Sequence, residues 1–425
     1  MKLANKIKSD FFKNASVLIG GTLLAQLLPV ILQPFLRRVF SPEEFGLAAV
    51  YFSIVAILSV VASMNYHSTI VLPNEDEDAN SLVMGSILIS FFFSILIFIV
   101  IILFSNPIIS FFNFPIELKS WVILIPLSVF FNSCHLILGN WLTRKKAFKK
   151  FALNKISRRV AEGISHVIFG LIKIPKGLIL GTFIGDFTNL ITYLLQFKKT
   201  GGRLKMEISK IKFNLKRYIH FPKYSLLPNL LSSISLFIPI IIINSLYDTK
   251  ITGQFDLSRQ ILAVPLTLIS LSISQVFLQK ISESRTNKSS FFKLYKNLLL
   301  LLSSLSVLAI VLAYFFSVDL FVFLFGAKWK YAGLITELLI LSYAIKFVVS
   351  PLAISFIALE ELKLNSLWQI SYFVGIISLF FFKDINFDTF VKIYITIDII
   401  FYLCYGFLTF YIIKKYEKSL NKPNF

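Results

Sequence analysis

Four basic side chains sit in apolar stretches where burying charge is unfavourable. Arg37 and Arg38 close a run that begins near residue 15, Arg259 stands one turn into another run, and Lys346 lies deep inside a third. An arginine presents a planar fork of donors that fits phosphate, and a lysine offers the same attraction as a point charge. Together they fit a cationic lining that draws in an anion. A local reading competes at three of the positions. Arg37 and Arg38 would snorkel from the end of their run to an interface, and Arg259 would pair with Asp256 at i−3. Snorkelling is difficult from mid-run, which favours a cavity-facing role for Lys346. Two carboxylates, Asp186 and Asp398, fall at matching places in the two halves of the chain. Paired with a neighbouring base they are structural; otherwise they are sites where a proton or sodium ion could bind as a coupling ion. Gln26, Gln33 and Gln275 add polar groups that serve either as lining or as interhelical hydrogen-bonding glue.

Other chemistry is poorly served. His67, His135, His166 and His220 share no metal-ligand spacing. The run Glu75-Asp76-Glu77-Asp78 reads as a solvated acidic loop. There is no phosphate-binding P-loop, nucleophile elbow or HExxH pattern, so neither catalysis, nor a cofactor, nor direct ATP drive is expected. Cys134 and Cys404 both lie in apolar runs and read as small buried hydrophobes.

The elements that must carry these residues are membrane spans. Hydrophobic residues make up 56% of the 425, and the mean hydropathy is +0.77, far above a water-soluble domain. Windows of about 19 residues pick out twelve candidate spans near 15–36, 46–65, 82–104, 117–138, 157–173, 176–197, 222–245, 255–278, 294–316, 331–357, 362–382 and 389–413. The fifth is interrupted by Arg158, Arg159, Glu162 and His166. No gap is long enough for a folded extramembrane domain, which argues against a fused enzyme or a polymerase with a large external loop. The net charge of +21 does not mark a nucleic-acid binder, because Lys and Arg collect in short stretches between apolar runs. With twelve spans the N-tail, the loops near 144–155, 198–217 and 280–288, and the C-tail share one side, which the positive-inside rule makes cytoplasmic. The basic N-terminal stretch reads as retained rather than cleaved.

The basic segment 198–217 divides the chain into halves of six spans, placed at residues 1–210 and 211–425. Shifting Gly46 onto Gly253 superposes two similar layouts, each a Pro-containing span, a short polar turn and a Gly at the start of the next span.

Particular residues also carry a family resemblance. Arg38 followed by Ser41-Pro42-Glu43-Glu44-Phe45-Gly46 resembles the first hairpin of the polysaccharide exporters, or O-antigen flippases, of the superfamily that also holds multidrug and lipid II transporters. Tyr66 to Pro73 with Asn74 to Ala79 is similar to the loop after that family's second span. Phe221-Pro222-Lys223-Tyr224 through Pro239, then Gly253, Arg259, Pro265 and Ser274-Gln275-Val276-Phe277, resembles its seventh and eighth helices. The resemblance implies an all-α integral membrane protein with two pseudo-symmetric six-helix lobes around a central cavity that opens alternately to each side. It implies a cargo of undecaprenyl-diphosphate-linked oligosaccharide moved from the cytoplasmic to the outer leaflet of the bacterial inner membrane, with membrane lipids, a polysaccharide polymerase and a chain-length regulator as partners. Arg38 holds the position typical of the family and is favoured over Arg37. Two neighbouring readings stay open: a multidrug or cation exporter, for which cavity acids would be expected, and a lipid II flippase, which commonly has two further spans.

Overall fold

The computed structural model describes residues 20, 25–111 and 119–420, and every regular element among them is helical. The N-tail lysines and the first part of span one lie outside the described residues. Residues 25–39 form α1. There follow α2 (Pro42–Ala62), α3 (Asp76–Phe111), α4 (Ile125–Arg144), α5 (Phe148–Leu171), α6 (Gly177–Lys199), α7 (Ile208–Arg217), α8 (His220–Leu246), α9 (Thr249–Thr286), α10 (Phe292–Phe325), α11 (Lys330–Leu352), α12 (Leu362–Ile377) and α13 (Phe387–Leu420). Without the ten-residue α7, this is one helix for each of the twelve expected spans. Ten of them are long and apolar enough to cross a bilayer. Among the others, α5 carries Arg158, Arg159 and Glu162 in its middle. The chain is thus an all-α, multi-pass membrane protein.

Local chemistry sets the helix ends. Ser41 and Glu44 form a reciprocal cap on α2, with Ser41 N donating to Glu44 Oε2 at 2.8 Å and Glu44 N to Ser41 Oγ at 3.3 Å. Pro42 occupies the first helical position, where its missing N–H costs nothing. Asp248 caps α9 by accepting from Ile251 N at 2.6 Å. Gly46 and Gly253 are each the fifth residue of the helix after the turn, so the shift that aligns the halves also aligns α2 with α9. Acidic Asp76, Glu77 and Asp78 occupy the first turn of α3, where the helix dipole favours them. Farther along, α3 bends at Phe104, three residues before Pro107.

Several helices outrun the expected spans: α3 continues to Phe111, α9 to Thr286 and α10 to Phe325. At 1.5 Å per residue the 38 residues of α9 reach about 57 Å, well past a hydrocarbon core of about 30 Å. Helix continues into polar surroundings where a hydropathy window has already ended. The basic segment read as a loop contains α7, a true helix.

Packing separates the chain into two units, one up to Phe237 and one from Ile238. The first has its apolar centre between α3, α4 and α6, where the Trp141 and Phe197 rings meet edge to face at 5.0 Å. The second packs Phe277, Leu302, Phe356 and Ile412 from α9, α10, the turn after α11, and α13. Leu300, Phe315 and Phe323 on α10, and Phe92 and Leu103 on α3, point outward. Outward apolar side chains on helices of each unit match lipid as the solvent.

Candidate functional site

Neither arginine at the end of α1 behaves as its neighbour does. Arg37 is fully buried, and its Nε donates to Gln33 Oε1 at 2.8 Å. Its guanidinium carbon lies 3.5 Å from the centroid of the Phe45 ring, a cation–π stack that ties α1 to α2. Phe40 meets the same ring edge-on at 6.2 Å. Arg38, the position favoured from the resemblance, is exposed on the other side. Gln26 and Gln33 are half-buried and Gln275 is exposed.

Within the first unit, α2, α4, α5 and α6 line an open cavity of about 320 Å³. Polar atoms reach it from Tyr51, Asn132, His135, Arg158, Arg159, Glu162, Thr182 and Asp186. Arg158 Nε donates to Asp186 Oδ1 at 2.6 Å, and Arg159 Nη1 to Glu162 Oε2 at 2.8 Å. Thr182 Oγ1 donates to the other Glu162 oxygen at 3.2 Å, and Tyr51 and Ser128 share a hydrogen bond of 2.8 Å. On the back wall His166 Nε2 donates to Leu178 O at 2.8 Å, and His135 Nδ1 accepts from Asn189 at 2.9 Å. Two guanidinium groups thus face two carboxylates in a pocket that is formally neutral. Asp186 takes the paired alternative, its partner being the preceding span. Sequence reading noted Arg158 and Glu162 only as interruptions of span five, and His166 as one of these and as a histidine without metal-ligand spacing. Their i, i+4, i+8 spacing already placed all three on one helix face.

In the second unit Lys346 on α11 donates to Asp398 on α13, which is fully buried. The second Asp398 oxygen accepts from Tyr372 OH at 2.7 Å. The lysine nitrogen lies 4.9, 5.2 and 5.7 Å from the ring centroids of Tyr343, Tyr402 and Tyr394, an aromatic cage for a cation. Tyr394, Asp398 and Tyr402 recur at i, i+4 and i+8 on α13, a signal that sequence reading passed over. On α9 Arg259 Nη2 and Asp256 Oδ1 are 3.5 Å apart, the anticipated i−3 pair, and Gln260 donates to Asp256 Oδ2 at 2.6 Å. Arg259, Asp256 and Asp398 all lie within electrostatic reach of Tyr343. The second unit therefore gathers two bases and two acids around phenol rings. Asp398, like Asp186, takes the paired alternative, and its partner is Lys346, which the sequence offered as a cargo site. Among the described residues, no group of three or more His, Cys, Asp or Glu side chains is arranged to hold a metal ion.

Buried Arg, Lys, Asp and Glu at membrane depth inside a twelve-helix protein mark a path for polar cargo more readily than an anchor. Residues 35–333 match the model of a family described as polysaccharide biosynthesis protein. The chain belongs to this family. No curated protein matches it in sequence. Solved structures reveal the same fold. The lipid II flippase MurJ in an inward closed conformation is 17% identical, with a TM-score of 0.73 over 94% of this chain and 89% of that one. An inward-facing multidrug resistance MATE family transporter of the MOP superfamily is 12% identical, with a TM-score of 0.72 over 93% and 95%. A MOP superfamily transporter from Pyrococcus furiosus, described as having a binding pocket of reverse polarity, is 12% identical at 0.59 over 95% of each chain. The fold is that of this transporter superfamily, two six-helix lobes in twelve helices.

Proposed function

We propose that this member of the polysaccharide biosynthesis family is a flippase. Its cargo is an undecaprenyl-diphosphate-linked oligosaccharide, an O-antigen or capsule repeat unit, carried by alternating access from the cytoplasmic to the outer leaflet of a bacterial inner membrane. The observation that carries this reading is the family match across residues 35–333 on a transporter fold. The physical problem agrees with it. Sugar hydroxyls crossing about 30 Å of hydrocarbon would lose their hydrogen bonds, so the head needs a polar passage while the polyprenyl tail stays in lipid. The diphosphate is anionic, and Arg37, Arg38, Arg259 and Lys346 are the cations assigned to its desolvated charge. Asp186 and Asp398 are the assigned coupling sites: a proton or sodium ion arriving there would compete with Arg158 or Lys346 for the carboxylate and so loosen a helix pair. Both chain termini are assigned to the cytoplasm, and a polymerase and chain-length regulator would act on the delivered product.

Neutralising Arg38, Arg259 or Lys346 singly, at unchanged membrane levels, should lower surface polysaccharide in a complementation assay. Full activity in all three variants removes the cationic assignment. The lipid II alternative is favoured by the MurJ likeness, and rescue of a cell-wall defect instead of surface polysaccharide would establish it. A cation exporter is the reading favoured by buried Asp256 and Asp398, yet both form ion pairs with bases within the protein.

A further inference from the structure

The short helix α7 is built differently from every span around it. Its inner face is fixed to the start of α3. Ile211 and Asn214 are buried there, and Asn214 Nδ2 donates to Ser81 Oγ at 2.8 Å and to Asp78 Oδ1 at 3.1 Å. Lys210 Nζ donates to Glu77 at 2.6 Å, and Tyr66 OH to Leu215 O at 3.0 Å. Gly85 permits the close approach, since a Cβ there would stand 3.1 Å from Ile211 Cγ2 and 3.3 Å from Leu215. The acid-rich first turn of α3 is the water-facing end of a span, so α7 lies at the level where hydrocarbon gives way to headgroups.

The outer face is neither polar nor apolar throughout. Phe213 is 62% exposed and Ile208 60% exposed, and Met206 just before the helix is exposed as well. Lys212, Lys216 and Arg217 flank these apolar side chains, with Lys216 and Arg217 at i+3 and i+4 from Phe213, and all three are exposed. A few residues on, exposed Tyr224 carries the Lys223 ammonium 5.3 Å over its ring, a pairing suited to the interfacial aromatic belt. An apolar wedge between long basic side chains is the pattern of a helix lying in a membrane surface. Its rings sit at the acyl boundary, and its charges reach the phosphates.

We propose that α7 is an interfacial helix that seats on anionic phospholipid headgroups, with Phe213 and Ile208 immersed and Lys212, Lys216 and Arg217 on the phosphates. It holds the basic segment between the two halves against the leaflet. The proposal depends on the membrane fold alone and is independent of the cargo.

The full chain carrying Cys404→Ser tests it, because the remaining Cys134 is buried. A nitroxide is attached at Ile208→Cys, at Phe213→Cys, or at Ser289→Cys in an exposed loop as the aqueous control. The protein is reconstituted into phosphatidylcholine vesicles with and without phosphatidylglycerol. The ratio of collisions with oxygen to collisions with a water-soluble nickel chelate reports depth. Labels at 208 and 213 should exceed the control several-fold in phosphatidylglycerol vesicles. The ratio should fall toward the control in pure phosphatidylcholine, in Lys212→Gln/Lys216→Gln/Arg217→Gln, and at 1 M salt, where the screening length is about 3 Å. A ratio equal to the control in anionic vesicles would place this face in water or under a protein partner and overturn the proposal. An equally high ratio with and without phosphatidylglycerol would leave an apolar seat with no recognition of charge, and overturn it too.

Discussion

Lys346 and Asp398 depend on each other. Each is desolvated, and each offsets the other's burial, so removing one partner leaves an uncompensated charge in the interior. Lys346→Met or Asp398→Asn should each lower stability by about 3–5 kcal/mol, and the double variant should recover most of that loss. Thermal unfolding of the detergent-purified protein measures all three; additive losses would deny the pairing. His67, in the turn Tyr66–Thr69 outside the spans, behaves differently. Burial pulls its pKa from 6.5 down to about 4, and Ser63 Oγ lies 2.7 Å from its Nδ1. Between those values the unfolded chain binds the proton more tightly than the folded one, so acidification disfavours folding, by about 2 kcal/mol at pH 5. Comparing melting at pH 7 and pH 5 for the parent and His67→Gln should show a larger acid-linked loss in the parent, the difference being about 2 kcal/mol. At this scale the sequence was a partial guide. The basic and acidic residues at membrane depth were visible, but their partners were not, because Arg158–Asp186 and Lys346–Asp398 join residues 28 and 52 positions apart. Nor could the sequence tell that adjacent Arg37 and Arg38 point into different surroundings, since that depends on where Phe45 comes to rest.

Helix ends and helix contacts follow from short-range chemistry. The Ser41–Glu44 cap satisfies donors that α2 would otherwise leave open, and Ser41→Ala should cost about 1 kcal/mol in the same unfolding assay. Gly333 raises a more severe requirement. A Cβ there would stand 2.7 Å from Val318 Cα, a backbone atom with no rotamer to yield, so α10 and α11 can approach only because the glycine is bare. Gly333→Ala should therefore destabilise by about 1–3 kcal/mol or more, exceeding the loss of the cap. Gly181→Ala meets a side chain instead, His166, which must swing off its hydrogen bond to Leu178 O. Ten of the spans were legible because hydrophobicity persists over some twenty residues in each. Helix α7 was not, because ten residues with four basic side chains register as a charged linker until the packing of Ile211 and Asn214 is known.

Over the whole molecule, the distribution of Lys and Arg predicts sidedness. Single cysteines at Lys205 and Glu283 in a Cys404→Ser background should resist an impermeant maleimide added to intact cells, while those at Lys250 and Asp384 should react. Reversed labelling would invert the assigned orientation. The two-half layout was legible from Gly46 and Gly253, and the family from motifs at the first hairpin and at α8 and α9. The cavity of the first unit was hidden, because four helices must converge before its walls exist. The pairing of buried charges has an electrical consequence. A cation and an anion held at the same depth experience opposite forces from the membrane voltage, about 2.3 kcal/mol per charge per 100 mV. Arg158 with Asp186, Arg159 with Glu162, and Lys346 with Asp398 therefore cancel as the helices shift. These three pairs therefore move almost no net charge across the field, and any voltage dependence of transport would arise from groups outside them.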